Sequence, residues 1–157
     1  MLTHARALMA GDAQTEVVGG DITAPEDVLA NEHVAGMLAD GEPVGVLMLA
    51  VLHFLPDEQV THAVRTSKDA LPPGSFLLIS HVTADLRDAE TTQNAAQSYT
   101  EQIQSIYLRS TAEIRRFADG MAIVEPGVVP IPQWPMRGSA AGSGWALAVV
   151  ARKPRRI

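Results

Sequence analysis

The stretch Val44 to Val51, VGVLMLAV, decides the fold of this 157-residue chain. It is apolar throughout and does not alternate with polar residues, which is typical of a strand covered by helices on both faces. Phe76 to Ile79 is a second apolar run of strand length. Between the two runs, the apolar positions from Val60 to Leu71 keep helical spacing, and Asp57 can cap that helix. We therefore predict two parallel strands side by side, joined by a crossover helix.

The same alternation of short apolar runs and amphipathic stretches continues on both sides of this unit, so residues 1–157 are predicted to form one domain of the α/β class. Proline and glycine residues mark most of the boundaries between these segments. The further predicted strands are Thr15 to Val18, Met121 to Val124, Val128-Val129 and Trp145 to Ala151, and the further predicted helices run from Pro25 through Leu29 toward Leu38, from Thr91 to Leu108 and from Thr111 to Phe117.

Composition excludes several classes of function. The formal charge of -6 argues against a nucleic-acid partner, and the absence of cysteine excludes thiolate metal sites and cysteine nucleophiles. The histidines show no pair at the close helical spacing of a zinc site, so we expect no metal. The longest apolar run is too short to cross a bilayer, so we expect a soluble, cytoplasmic protein without a membrane partner.

Ligands of open α/β sheets bind at the carboxyl ends of the strands, so the residues just after each predicted strand are the candidates for a site. Asp21 and Ile22 follow the first strand, and the Asp21 carboxylate could accept hydrogen bonds from an amino group such as that of adenine. A helix-capping turn is the alternative explanation for this carboxylate.

The next strand opens into Ala50, Val51, Leu52 and His53, and the histidine could accept a proton because its ordinary pKa lies near neutrality. A histidine that only hydrogen-bonds backbone groups is the alternative. His81, with Thr83 and Asp85, follows the next strand and is expected to form the far wall of the same crevice. Tyr99 could line the floor of a substrate pocket, or belong to a core stripe at helical spacing.

Four segments resemble consecutive blocks of a bacterial family of S-adenosylmethionine-dependent methyltransferases long known as a domain of unknown function. The turn of leucine, two prolines and glycine is common to class I methyltransferases, whereas AVLHFLPD followed by SHVTAD is specific to this family. The resemblance covers nearly the whole chain. The four blocks are GDITAPEDVLANEHV, PVGVLMLAVLHFLPD, LPPGSFLLISHVTAD and FADGMAIVEPGVVPIPQW.

The resemblance implies a Rossmann-like sheet, S-adenosylmethionine as cofactor and a small-molecule methyl acceptor. Asp21 and Ile22 would contact the adenine, and the segment from Ala50 to His53 would pass the methionine portion. His53 is the candidate catalytic residue. His81 and Tyr99 would face the acceptor.

The same resemblance also implies that part of the domain is missing. The family's domain begins with a first strand, a Gly-x-Gly loop and a second strand, and no Gly-x-Gly occurs in this sequence before Gly142-Ser143-Gly144. In the class I order 3-2-1-4-5-7-6, the missing strands lie between Thr15–Val18 and Val44–Val51, a gap of about 14 Å. We expect weakened cofactor binding, together with an oligomer, a rearranged sheet or poor solubility.

These observations leave three hypotheses. The chain is a truncated form of an active methyltransferase, or a non-catalytic interaction module that pairs through its open sheet edge with a full-length relative or with a second copy of itself. The third hypothesis is a different α/β binding module that uses the crevice of His53 and His81 for another ligand.

Overall fold

A computed structural model of the chain describes residues 3–4, 15–86, 88–102, 105–134 and 145–155. In these ranges, helices and strands alternate along the chain. In order, the elements are α1 (Pro25–Leu29), α2 (Glu32–Ala39), β1 (Gly45–Leu49), a 3₁₀ turn (Leu52–Phe54), α3 (Asp57–Ala70), β2 (Phe76–Val82), α4 (Ala89–Gln102), α5 (Thr111–Arg116), β3 (Ala122–Ile123), β4 (Val129–Pro130), a second 3₁₀ turn (Ile131–Gln133) and β5 (Ala146–Arg152).

The strands form an open mixed sheet in the order β1-β2-β5-β3, with β4 also paired to β5. β1 and β2 are parallel neighbours, with Leu47 opposite Leu78, which confirms the prediction from the two apolar runs. β5 is antiparallel to β2 and also to β3 and β4. In the described part of the chain, β1 therefore forms one edge of the sheet, β3 and β4 form the other, and β2 and β5 occupy the centre.

The core fills the space between the sheet and the helices α3 and α5. Helix α3 buries one stripe at helical spacing because its other face is polar, and α5 contributes a single fully buried isoleucine. The main buried side chains are Met48, Leu52, Leu55, Val60, Val64, Leu77, Ile79, Ile114, Leu147 and Val149.

The predicted strand from Thr15 to Val18 is wrong, since residues 15–20 have no regular secondary structure. A strand exists only where a neighbour takes up its backbone hydrogen bonds, and no strand of the described sheet pairs with this segment. The rearranged sheet in which this segment joins β1 is therefore not formed. Within the described residues, β1 instead keeps an open edge, which is the arrangement that the interaction-module hypothesis requires.

Two predicted helices also have the wrong bounds. The helix expected from Pro25 toward Leu38 divides at Asn31, whose side chain accepts from the N–H of His33 and so starts a new helix. The helix expected from Thr91 to Leu108 ends at Gln102. Residues 105–108 are not helical. Their backbone instead pairs with the turn after β1, where the N–H of Tyr107 donates to the His53 carbonyl at 2.7 Å.

Candidate functional site at the strand ends

The chain turns away from the sheet directly after β1. Ala50 has a φ of 52°, in the left-handed region that non-glycine residues occupy at a cost of about 1 kcal/mol or more. The N–H of Ala50 donates to Ser80 Oγ at 2.9 Å, which ties the turn to the end of β2. His53 then follows in the 3₁₀ turn. The predicted segment from Ala50 to His53 therefore lies at the carboxyl ends of two parallel strands.

His53 is buried and packs among aromatic rings. Its ring centroid lies 4.3 Å from that of Phe54 and 5.6 Å from that of His81. The Nδ1 atom of His53 is buried and has no hydrogen-bond partner among the described residues. Burial, and secondarily the charge of Arg109, lowers the pKa of His53 below its ordinary value. The ring is therefore neutral near pH 7 and holds an unused polar atom.

His81 does not lie in a loop, as the sequence predicted, because β2 extends to Val82 and places His81 inside the strand, opposite Leu147. Its side chain is 1% exposed. Nδ1 contacts the Val82 carbonyl, and Nε2 lies 2.9 Å from a guanidinium nitrogen of Arg109. Burial lowers the pKa of His81 to about 4, and Arg109 acts in the same direction. These contacts give His81 a structural place, and its predicted contact with an acceptor stays a prediction.

Arg109 is the site residue that the sequence did not reveal. It is 4% exposed, and its guanidinium bonds Asp57, His81 and the backbone of the turn that carries His53. The predicted role of Asp57 as a helix cap is accordingly wrong: Pro56 is at the N-cap, and the Asp57 carboxylate accepts from Arg109 at 2.7 Å. The sequence offered one signal for Arg109, its position directly before Ser110 and Glu113, the residues that cap α5.

Asp21 forms a turn ahead of α1 but does not cap that helix, whose N-cap is Ala24 without a side-chain hydrogen bond. One carboxylate oxygen accepts from the N–H and from the hydroxyl of Thr23, both at 2.8 Å. These hydrogen bonds lower the pKa of Asp21. Ile22, by contrast, is partly buried against the core. Contact of either residue with adenine stays a prediction, as does the role of Tyr99, whose side chain lies outside the described part of the structure.

Thr83 and Asp85, which follow β2, fasten neighbouring backbone. The Thr83 hydroxyl accepts from the N–H of Asp85 at 3.2 Å, and the Asp85 carboxylate accepts from the N–H of Thr111 at 2.6 Å. The hydrogen bond from Thr111 lowers the pKa of Asp85. These hydrogen bonds and the β-bridge between Thr83 and Arg109 hold together the two ends of the segment that contains α4.

One cavity lies away from this strand end, and another borders Arg109 and Asp57. An apolar cavity of about 400 Å³ runs beside β1 and is bounded by α1, α2 and α3, with Gly20 and Ile22 in its wall. A charged groove of about 450 Å³ separates α3 from α5. Within the described residues, no group of histidine and carboxylate side chains could hold a metal ion, and none of the helices is long and apolar enough for a membrane span.

Several solved structures share this fold. A candidate methyltransferase from Thermobifida fusca is 31% identical with a TM-score of 0.83, and the match covers 98% of this chain and 59% of that one. A DUF574 family protein from Streptomyces avermitilis is 29% identical with a TM-score of 0.77, over 87% of this chain and 54% of that one. An O-methyltransferase family protein from Burkholderia thailandensis shares the fold at 13% identity and a TM-score of 0.62, over 97% of this chain and 40% of that one. No curated protein gives a significant match.

The parallel β1 and β2, the antiparallel β5 and the crevice at the strand ends define a class I methyltransferase fold. The chain spans little more than half the length of its two more similar solved relatives. It belongs to the S-adenosyl methyltransferase family, which its sequence matches over residues 1–154. The cofactor of this family is S-adenosylmethionine.

Proposed function

We propose that this chain forms one side of the site of an S-adenosylmethionine-dependent methyltransferase, and that its methyl acceptor is a small molecule. The observation that carries the proposal is the buried Nδ1 atom of His53 at the carboxyl end of β1, which has no partner in the described part of the chain. Buried polar atoms are nearly always hydrogen-bonded, so a bound molecule is the natural partner for this one. The net charge of -6 disfavours a nucleic acid as that molecule.

The residues at the strand ends fit one side of such a cofactor. Ala50 to Leu52 would pass its methionine portion, and Asp21 with Ile22 would lie toward its adenine. The left-handed backbone of Ala50 supports this assignment, since strained positions held in place by their surroundings cluster at functional sites. When bound, S-adenosylmethionine supplies a methyl group that the acceptor takes in an in-line displacement, a reaction that depends mostly on orientation.

His53 is proposed to accept the proton that the acceptor loses. A proton on Nδ1 would leave a buried N–H without an acceptor, so the neutral ring carries its proton on Nε2 and has its lone pair at Nδ1. The lowered pKa keeps this lone pair free near neutral pH. Proton transfer by a positioned histidine typically contributes 10² to 10⁴ in rate, at the order-of-magnitude level.

The test is transfer of an isotopically labelled methyl group from S-adenosylmethionine to a panel of small hydroxylated and amino compounds. We expect a labelled small-molecule product, and a loss of about 100-fold or more in turnover for His53→Ala. His33→Ala, at a half-exposed histidine, is the matched control and should leave turnover unchanged. Unchanged turnover in His53→Ala would remove the role of His53, and no transfer to any compound would contradict the activity.

A second candidate function is supported by one face of the sheet. Leu47 and Leu49 of β1 are 61% and 52% exposed, and Phe76 of the neighbouring strand is 39% exposed on the same face. An open strand edge beside exposed apolar side chains is a template for pairing with another chain. The chain would then be an interaction module that associates through β1, and its association state in solution distinguishes this role.

A further inference from the structure

Arg109 is held by an unusually complete set of hydrogen bonds for a buried charged side chain. Nε donates to the Asp57 carboxylate at 3.1 Å, and one terminal nitrogen donates to the same carboxylate at 2.7 Å and to the Leu55 carbonyl at 2.8 Å. The other terminal nitrogen donates to the Leu52 carbonyl at 3.3 Å and lies 2.9 Å from Nε2 of His81. All the N–H donors of a guanidinium are thereby used.

Two of these contacts, together with one from Tyr107, determine where His53 lies. Leu52 and Leu55 flank His53 in the turn after β1, and both carbonyls accept from Arg109. The N–H of Tyr107, two residues before Arg109, donates to the carbonyl of His53 itself at 2.7 Å. The segment from Tyr107 to Arg109 therefore fixes the backbone on both sides of the His53 ring.

The contact with His81 also determines where that ring carries its proton. A guanidinium has no acceptor atom and does not lose a proton in proteins, so Nε2 of His81 must be the acceptor of the 2.9 Å contact. The proton of the neutral ring then lies on Nδ1, where it donates to the Val82 carbonyl. Protonation of Nε2 would place two donors against each other in a buried site.

The same positive charge acts on both histidines. Arg109 lowers the pKa of His53 and that of His81, in each case adding to the effect of burial. A charged His53 would further disfavour a charged His81, whereas Glu113 on α5 acts weakly in the opposite direction. Asp57, the ion-pair partner of Arg109, is 84% exposed and so offsets that charge from the solvent side.

We propose that Arg109 is a positioning residue of the methyl-transfer site: it fixes the turn that carries His53 and sets the tautomer of His81. The inference rests on the proposed function in one respect, that His53 must be neutral to accept a proton. Arg109 itself touches neither the reacting atoms nor the acceptor in this role.

The test is ¹⁵N NMR of the histidine rings of this chain as a function of pH, without cofactor or acceptor, with each ring assigned from its glutamine variant. In the wild type we expect His81 as the Nδ1–H tautomer at pH 7, and a titration midpoint of His53 below the ordinary pKa of 6.5. Arg109→Met should raise the titration midpoint of His53 and mix the tautomers of His81. A shift of one pH unit corresponds to a tenfold change in proton affinity.

Arg109→Lys keeps the charge but offers fewer donors in a different geometry, so it covers the case in which Arg109→Met does not fold. We expect mixed His81 tautomers with a smaller shift of His53 in this variant. Asp57→Asn is the matched control, since an amide oxygen can still accept from Arg109, and the His81 tautomer should not change. An Nε2–H tautomer of His81 in the wild type overturns the inference, as does an Arg109→Lys spectrum identical to that of the wild type.

The ring spectra and the methyl-transfer assay separate the inference from the function on which it rests. Expected tautomers without any methyl transfer contradict the proposed function and leave the geometry of Arg109 intact. Methyl transfer that depends on His53, with an acid limb of the pH–rate profile that does not move in Arg109→Lys, contradicts the inference alone. A shift of that limb to higher pH supports both.

Discussion

At the scale of single residues, the burial of His81 makes the stability of the protein depend on pH. The pKa of His81 falls from 6.5 to about 4 in the folded protein, so the unfolded chain binds more protons between these values. Stability contributed by the neutral ring is complete above about pH 6.5 and is lost as the pH falls toward 4. The loss between pH 7 and pH 5 amounts to about 2 kcal/mol.

We therefore expect His81→Gln to flatten the dependence of the unfolding free energy on pH between 7 and 5, measured by urea denaturation. A glutamine amide can still accept from Arg109. The aspartates and glutamates with lowered pKa values have ordinary values of 3.8 and 4.5, so they act mainly below this range. His33→Gln should keep the wild-type slope. Equal slopes in wild type and His81→Gln would show that the buried ring is not the source.

The position of a residue after a strand could be predicted from sequence, but its partners could not. His53 was found because an apolar run ends just before it, which is a local pattern. Arg109 was missed because its partners Leu52, Leu55 and Asp57 lie 57, 54 and 52 residues away in the chain. His81 was assigned to a loop because the polar pair Ser80-His81 interrupts the apolar run, although both side chains are buried in β2.

At the scale of elements, β1 is covered on only one face within the described residues. Along it, Met48 is buried while Leu47 and Leu49 are exposed, so the face opposite α3 has no cover within the described residues. Burying a leucine side chain contributes about 1.5 to 3 kcal/mol, so two such side chains favour association. The sequence predicted cover on both faces because β1 is apolar at every position, and only one face has it here.

We expect the wild-type chain to associate in a concentration-dependent way, and Leu47→Lys to weaken that association by at least about tenfold. A lysine on the exposed face removes apolar surface and adds a charge that must be desolvated on pairing. The measurement is light scattering coupled to size-exclusion chromatography over a range of concentrations. Ile131→Lys, at a 43% exposed isoleucine in the second 3₁₀ turn, is the control. A wild-type chain that stays monomeric at all concentrations would exclude β1 as an interface.

At the scale of the whole molecule, the pairing of β1 with β2 followed from the sequence, because parallel strands joined by a helix have few alternatives. The apolar runs at β1, β2 and β5 each specified a strand, and the resemblance specified their order. The strand predicted at Thr15 to Val18 could not be judged from sequence in the same way. A strand depends on a neighbour that pairs with it, and none of the described strands pairs with residues 15–20. An apolar cavity of about 400 Å³ lies there instead, between this segment and β1.

The same arrangement predicts how the 157 residues bind the cofactor. The proposed contacts with the cofactor lie at the ends of β1 and of segment 15–20, and comprise Asp21-Ile22 and Ala50 to His53. No Gly-x-Gly occurs in the sequence before Gly142 to bind the cofactor from another side. We expect calorimetric titration with S-adenosylmethionine to give a Kd weaker than about 100 μM. Ile22→Asp should weaken it further and Ile131→Asp should not, while a low-micromolar Kd for the wild type would mean that these residues suffice to hold the cofactor.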